Sequence, residues 1–273
     1  MIHIATVHWE SDKWIDIQLE HINKNLNQPY RIYTFLSGQA TLHNSKFYFA
    51  SCAPVKEHAV KLNILADIIV HEASSDDDVL IFIDGDAFPI KPIGSYIENI
   101  LQKYPLAAIQ RIENVGDIQP HPSFCVTTVG FWKSIKGDWL EGYKWQNANQ
   151  LWRTDVGGNL LKILNRNNIN WHPILRTKGI TEHPLMFGIY EGVIYHHGSG
   201  FRTPMSMYDR QKSLVSVLSN KHIAKILDKL LKRVSLKNRF RIHRILGINK
   251  KLQNQNSRIS ENIFQMFVQK KLF

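Results

Sequence analysis

The run VLIFIDGDAFPI, from Val79 to Ile90, carries an unbroken apolar stretch into two aspartates one residue apart. A near-continuous series of Val, Leu, Ile and Phe marks a strand covered on both faces, as in a parallel sheet packed between helices. Pro89 and Pro92 stop its continuation. The flanking chain alternates in the same sense. Ile2–Val7 and Tyr30–Leu36 read as strands, and Ser37-Gly38 ends the second. Trp14–Asn25 reads as a helix with a partial apolar face of Trp14, Ile17, Leu19 and Ile22. Val55–His71 has helical spacing at Leu62, Leu65, Ala66 and Ile69. Downstream, Ile93–Tyr104 reads as a helix, and Leu106–Gln110, Phe124–Phe131 and Gly192–His196 as strands. Asp155–Asn165 reads as a helix with Thr154 as candidate N-cap. Alternating strands and helices predict an α/β fold with a mainly parallel central sheet.

In a strand, residues two apart share a face, so Asp84 and Asp86 point the same way if the strand persists. Open α/β sheets bind ligands at the carboxyl ends of their strands. Two carboxylates held side by side there repel unless a cation joins them. Mg²⁺ and Mn²⁺ favour such oxygen ligands and share them with substrate phosphates. Gly85 gives the turn its freedom and allows close approach. The competing reading is a polar turn after a buried strand. Against it, Ala87-Phe88-Pro89-Ile90 returns at once to apolar sequence.

The 273 residues suit one large domain with a small appendage, and 44% apolar with 21% charged is ordinary globular composition. No apolar stretch is long enough to predict a transmembrane helix. The start, MIHIATVHW, has the character of a strand and not of a secretory signal. Cys52 and Cys125 are expected to be buried free thiols in a reducing, cytoplasmic setting. The net charge of +11 is uneven: from Lys221 to Phe273 there are 14 Lys plus Arg against two acids, Asp228 and Glu261. The body is near neutral and the tail strongly basic.

Four segments resemble the GT-A-fold glycosyltransferases that use nucleotide-sugar donors. IFIDGDAFPI resembles their D-x-D segment. EHAVKLNILADII resembles the preceding helix, and FCVTTVGFWKSI with TDVGGNLL resembles the later strand and acidic helix start. IYHHGSGFRTP resembles the late His-x-x-Gly-x-x-Lys-Pro segment of the retaining glycogenin-like and lipooligosaccharide galactosyltransferase group. The resemblance runs from the first strand to Pro204. It departs from the pattern at Thr203, which stands for the lysine, and Arg202 comes one place early.

The resemblance implies that Asp84, Asp86 and His197 hold Mn²⁺ or Mg²⁺, and that Gly85, Gly200 and Arg202 meet the diphosphate. His196 and His197 face opposite ways on a strand, so only one can join the acids, and the resemblance selects His197. Two carboxylates with an imidazole suit Mn²⁺. Lys61 and Asn63 would face the nucleotide, although a lone helical lysine is ordinarily solvated. Thr6 and His8 end the first strand, where base and ribose would sit. Asp155 would hold or deprotonate a sugar hydroxyl, with Gly157 and Gly158 leaving room for the ring. Trp132, Trp139, Trp145, Trp152 and Trp171 read first as core, with Trp152 also suited to stacking on a sugar.

The implied activity is transfer of a sugar from a nucleotide-diphosphate donor to a growing glycan, of lipooligosaccharide or surface-polysaccharide type. Two alternatives stand beside it. A haloacid-dehalogenase-like phosphatase also uses D-x-D, but wants Thr or Val soon after the second acid and an early motif. The other is a non-catalytic nucleotide- or glycan-binding protein with a degenerate site, against which the intact Asp84, Asp86 and His197 argue.

Ile223, Ile226, Leu227, Leu230, Leu231 and Val234 form a helical stripe in the basic tail, and Ile263, Phe264, Phe267 and Val268 a shorter one. A catalytic domain over residues 1–215 and a basic helical extension over 216–273 are expected. The extension suits an anionic membrane surface, at the inner face of the cytoplasmic membrane, or docking on the body. Nucleic acid is not expected, because the body offers no matching basic patch.

Overall fold

The computed structural model describes all residues except 149, 178–182, 184, 200–213, 217, 219, 232 and 235, and except the side chains of 216, 236, 237, 239 and 240. It divides into two compact units, Met1–Phe201 with Phe273, and Arg202–Leu272.

The first unit is an α/β domain. Strands β1 (Ile2–His8), β2 (Tyr30–Leu36), β3 (Phe49–Ser51), β4 (Val79–Asp84), β6 (Leu106–Ile109), β7 (His121–Thr128) and β10 (His172–Ile174) form one sheet in the order β10-β6-β7-β4-β1-β2-β3. Only β7 runs against the rest, so the sheet is mainly parallel as expected. The VLIFI run owes its composition to its place. β4 is hydrogen-bonded on both edges, to β1 and β7. Its side chains alternate between two cores. Ile81 and Ile83 pack with Ile4, Ile15 and Ile22 on one face. Leu80 and Phe82 pack on the other with Leu62, Leu65, Ala66 and Ile69 of helix α2 (His58–Glu72).

A three-stranded antiparallel sheet, β11 (Gly188–Tyr190), β12 (Ile194–His196) and β5 (Ala87–Pro89), sits directly after the acidic turn. Its strands are three residues long, too short for a periodic signal in sequence. Helices α1 (Ile15–Asn25), α3 (Gly94–Leu101), α4 (Val129–Ile135) and α5 (Gly158–Arg166) and a β8–β9 hairpin (Trp145–Gln146, Trp152–Arg153) complete the unit.

Several expectations are corrected. The strand expected to reach Phe131 ends at Thr128, whose hydroxyl accepts the Phe131 N–H and starts α4 as an N-cap. Helix α5 begins at Gly158, not Asp155, with Gly157 as N-cap at φ +89°. Thr154 caps nothing; its hydroxyl accepts from Gly142 N–H. Gly157 and Gly158 leave no room for a sugar ring. A Cβ on Gly157 would lie 2.1 Å from the Pro120 carbonyl oxygen, and one on Gly158 3.1 Å from that of Tyr143. The glycines serve a left-handed turn and close backbone packing. Cys125 is buried, but Cys52 is exposed; both are free.

In the second unit, α6 (Lys221–Leu231), α7 (Leu236–Ile245) and α8 (Ile248–Val268) gather a small core of Leu214, Ala224, Leu231, Ile248 and Leu252. The expected stripe on α6 is split. Ala224 and Leu231 are buried, whereas Ile223, Ile226 and Leu230 are exposed among the lysines. Among the described residues, no helix is long and apolar enough to cross a membrane.

Candidate functional site

The acidic turn Asp84-Gly85-Asp86 joins β4 to β5 at the carboxyl edge of the main sheet. Three devices fix it there. Gly85 packs against the end of β1: a Cβ would lie 2.5 Å from Val7 O and 2.7 Å from His8 Nδ1. From the other side, β12 pairs with β5, His196 against Ala87, and the His197 N–H donates to Asp86 O at 3.0 Å.

The third device is a buried polar row on α1. Gln18 Nε2 donates to Asp84 O (2.8 Å) and to Ala87 O (2.7 Å). His21 Nδ1 lies 3.1 Å from Pro89 O, and Asn25 Nδ2 donates to the same oxygen at 3.1 Å. The expected apolar face of Trp14, Ile17, Leu19 and Ile22 is only partly the buried one: α1 buries Ile15, Gln18, His21, Ile22 and Asn25, and the polar members serve the β5 backbone, which on that side lacks a strand to donate to it. Gln18→Met is expected to destabilise the protein by roughly 2–4 kcal/mol, since it strips the amide donor from one part-buried and one buried carbonyl. Urea denaturation reads this directly.

His196 Nε2 stands 3.5 Å from Asp84 Oδ2 and 3.5 Å from Asp86 Oδ1. Asp84, Asp86 and His196 each offer a ligand atom, all within 4.8 Å of one another. The spacing is long for direct N–H···O bonds. It fits a shared ion, because ligands about 2.1 Å from one cation stand roughly 3.0–3.6 Å apart. The trio could therefore bind a metal. The sequence placed His197 in this group; the structure places His196 there. Side chains alternate along β12, and His197 turns the other way. It is 1% exposed, with Nδ1 2.8 Å from Tyr195 Oη and its ring against Trp14 and Phe187. A fourth group, His58 at the first turn of α2, holds Asp84 Oδ1 at 3.1 Å.

The remaining predicted residues divide. His8 is buried beside Gly85, and burial pushes its imidazole down to about 4, partly opposed by Gln18 and Asp86. It is neutral at pH 7, and its Nε2 has no partner among the described residues. Thr6 is spent on structure, with its hydroxyl donating to Gln18 Oε1 at 3.4 Å. Asn63 is also spent: Nδ2 donates to Asp138 and Oδ1 accepts from Trp139 N–H. Lys61 is not solvated. It is 3% exposed, with Nζ 3.5 Å from the centre of the Trp9 ring, and burial lowers it to about 8 against the pull of Glu10 and Glu57. Gly200 and Arg202 lie outside the described residues.

No protein-family model matches the chain, and no curated protein matches it. Among solved structures, TarS 1-349 of S. aureus in complex with UDP aligns at 10% identity and TM-score 0.36 over 51% of this chain and 50% of that one. The glycosyltransferase GlyE of Streptococcus pneumoniae TIGR4 aligns at 10% identity and TM-score 0.37 over 67% of this chain and 41% of that one. The chain spans half or less of these structures. Overlap this partial does not extend to activity.

Asp155 anchors a second polar group. Its Oδ2 accepts from Arg111 Nη2 at 2.9 Å and its Oδ1 from Val156 N–H. Arg111 also reaches the buried Asp117 at 3.5 Å. The two polar groups are linked through the start of β7, where the His121 and His196 rings are 6.3 Å apart. Of the tryptophans, Trp132, Trp139 and Trp145 are core, whereas Trp152, three residues before Asp155, is 67% exposed.

Sequence reasoning missed Gln18, His58 and His196. Gln18 left a signal, as a lone amide three residues from Ile15 and four from Ile22. His58 left none.

Proposed function

We propose that this protein is a metal-dependent glycosyltransferase that moves a sugar from a nucleotide-diphosphate donor to a hydroxyl of a growing glycan, of lipooligosaccharide or surface-polysaccharide type. The observation that carries the reading is the Asp84–Asp86–His196 trio at the carboxyl end of β4, where an α/β sheet binds its ligand. The trio would hold Mn²⁺ or Mg²⁺, which when bound would supply charge stabilisation for a diphosphate. Gln18, Gly85 and β12 keep the two carboxylates in place before the ligand arrives, and His58 orients Asp84. Lys61 supplies a cation on the neighbouring helix for a phosphate oxygen. His8, neutral and with Nε2 unpartnered, offers a hydrogen bond to the nucleotide at the end of β1. By the sequence resemblance alone, Gly200 and Arg202 would also meet the diphosphate. Asp155 keeps lone pairs on both oxygens beyond its bonds to Arg111 and Val156, and receives a sugar hydroxyl. Trp152 offers a flat apolar face beside it.

The basic second unit suits a peripheral position on an anionic membrane, at the inner face of the cytoplasmic membrane. Its exposed Ile223, Ile226 and Leu230 lie among Lys221, Lys225 and Lys229 on α6. A lipid-linked glycan acceptor would be met there.

Thermal unfolding against UDP, GDP, CDP and dTDP and their sugar conjugates, with and without Mn²⁺, tests the reading. At least one nucleotide diphosphate is expected to raise the melting temperature only when metal is present. Absence of any shift under all metals would reduce the acidic turn to a structural feature.

A further inference from the structure

Gln119 is 1% exposed, and neither its Oε1 nor its Nε2 has a hydrogen-bond partner among the described residues. A buried amide with both ends unsatisfied is rare and asks for a water or a ligand. Its chain neighbours place it. Two residues before it, Asp117 pairs with Arg111, which holds Asp155. One residue after it, the Pro120 carbonyl packs on Gly157 so tightly that no side chain fits there. Two residues after it, His121 stands beside His196. Gln119 is thus bracketed in the chain by Asp117, which shares Arg111 with Asp155, and by Pro120, which packs on the Asp155 turn at Gly157. Arg111 Nε is buried without a partner in the same group.

The chemistry of this group is specific. A carboxylate accepts, a guanidinium donates, and an amide does both, so neighbouring hydroxyls of one ring can be met in pairs. The loop that carries Gln119 is also held in a demanding shape. Val115 has φ +61° and Gly116 φ +78°, and Val115 O accepts the Ala148 N–H of the β8–β9 hairpin. A β-branched residue in the left-handed region persists only where its surroundings over-determine it.

We propose that Gln119, with Asp155 and Arg111, forms a subsite that reads the hydroxyl groups of a sugar ring. The inference rests on the glycosyltransferase reading and names the residue that selects the sugar. The ring belongs either to the donor or to the acceptor.

The test compares wild type with Gln119→Leu and Gln119→Met in Mn²⁺. Affinities are measured by calorimetry for UDP against UDP-glucose and UDP-galactose, GDP against GDP-mannose, and dTDP against dTDP-glucose. Donor hydrolysis and transfer to a panel of methyl hexosides are followed alongside. For a donor subsite, the variants bind the nucleotide sugar about tenfold more weakly and the bare nucleotide unchanged, as loss of one hydrogen bond implies. For an acceptor subsite, nucleotide-sugar affinity and hydrolysis persist, and transfer falls about tenfold through KM.

In both cases the ligand-free variants melt higher than wild type, because an unsatisfied amide has been replaced by an apolar group of similar size. A lower melting temperature with unchanged sugar affinity and transfer overturns the subsite and makes Gln119 structural. Unchanged melting, affinity and transfer overturn it too. If wild type binds none of these nucleotides, the glycosyltransferase reading itself fails and the subsite falls with it.

Discussion

Asp86→Asn is expected to lower metal-dependent activity by about three orders of magnitude while raising the stability of the metal-free protein. The two effects share one cause. Asp84 and Asp86 each stand 3.5 Å from His196 Nε2, on a turn held by Gln18, Gly85 and β12. Their like charges repel in the absence of a cation. Neutralising one removes that repulsion, for a gain of roughly 1 kcal/mol in chelator. It also removes a charged ligand, and charge stabilisation by a bound metal is worth several kcal/mol, about 10³-fold at 4 kcal/mol. Melting in EDTA and calorimetric titration of Mn²⁺ measure both. A variant that melts lower in EDTA and still takes up Mn²⁺ like wild type would show that the acids shape the turn and bind nothing.

This site was half legible in the sequence, for definite reasons. The acids were legible because β4 is covered on both faces, which leaves an apolar run that Asp84 interrupts abruptly. Leu62, Leu65, Ala66 and Ile69 were legible because α2 buries one whole side against that strand, and all four are fully buried. The choice between His196 and His197 was not legible. It depends on the register of β12 against β5, three residues on each strand, which places His196 opposite Ala87. Thr6 and Asn63 stand near the predicted places, but their polar atoms are taken by Gln18, Asp138 and Trp139. Position along a strand or helix says where a residue is, not whether its hydrogen bonds are already committed. Gln119 gave no signal, because an unpartnered amide is visible only once its surroundings are known.

Lys61→Met is expected to stabilise the protein at neutral pH and to weaken nucleotide binding. The lysine is buried over Trp9 and lowered from its ordinary 10.5 to about 8, chiefly by burial. Its charged form is disfavoured in the folded state. Between about pH 8 and 10.5 the unfolded chain binds more protons than the folded one at this position, so stability rises with pH across that window. At pH 7 the whole penalty is present. A shift of this size corresponds to about 3 kcal/mol. The cation–π contact with Trp9 contributes to wild type as well, and losing it offsets about 1 kcal/mol. The net gain in Lys61→Met at pH 7 is then roughly 2 kcal/mol, and this position's contribution to the rise between pH 8 and 10.5 disappears.

Binding moves the other way. A charged donor to a phosphate oxygen contributes roughly 1.5–3 kcal/mol, so affinity for a nucleotide diphosphate falls about 10- to 100-fold. Urea denaturation at pH 7 and at pH 9.5, with calorimetry in Mn²⁺, separates the terms. A residue kept for structure would lose stability when replaced. Retention of a buried cation that destabilises the ligand-free fold is explained by an anion that arrives later, at the helix whose first residue already holds Asp84.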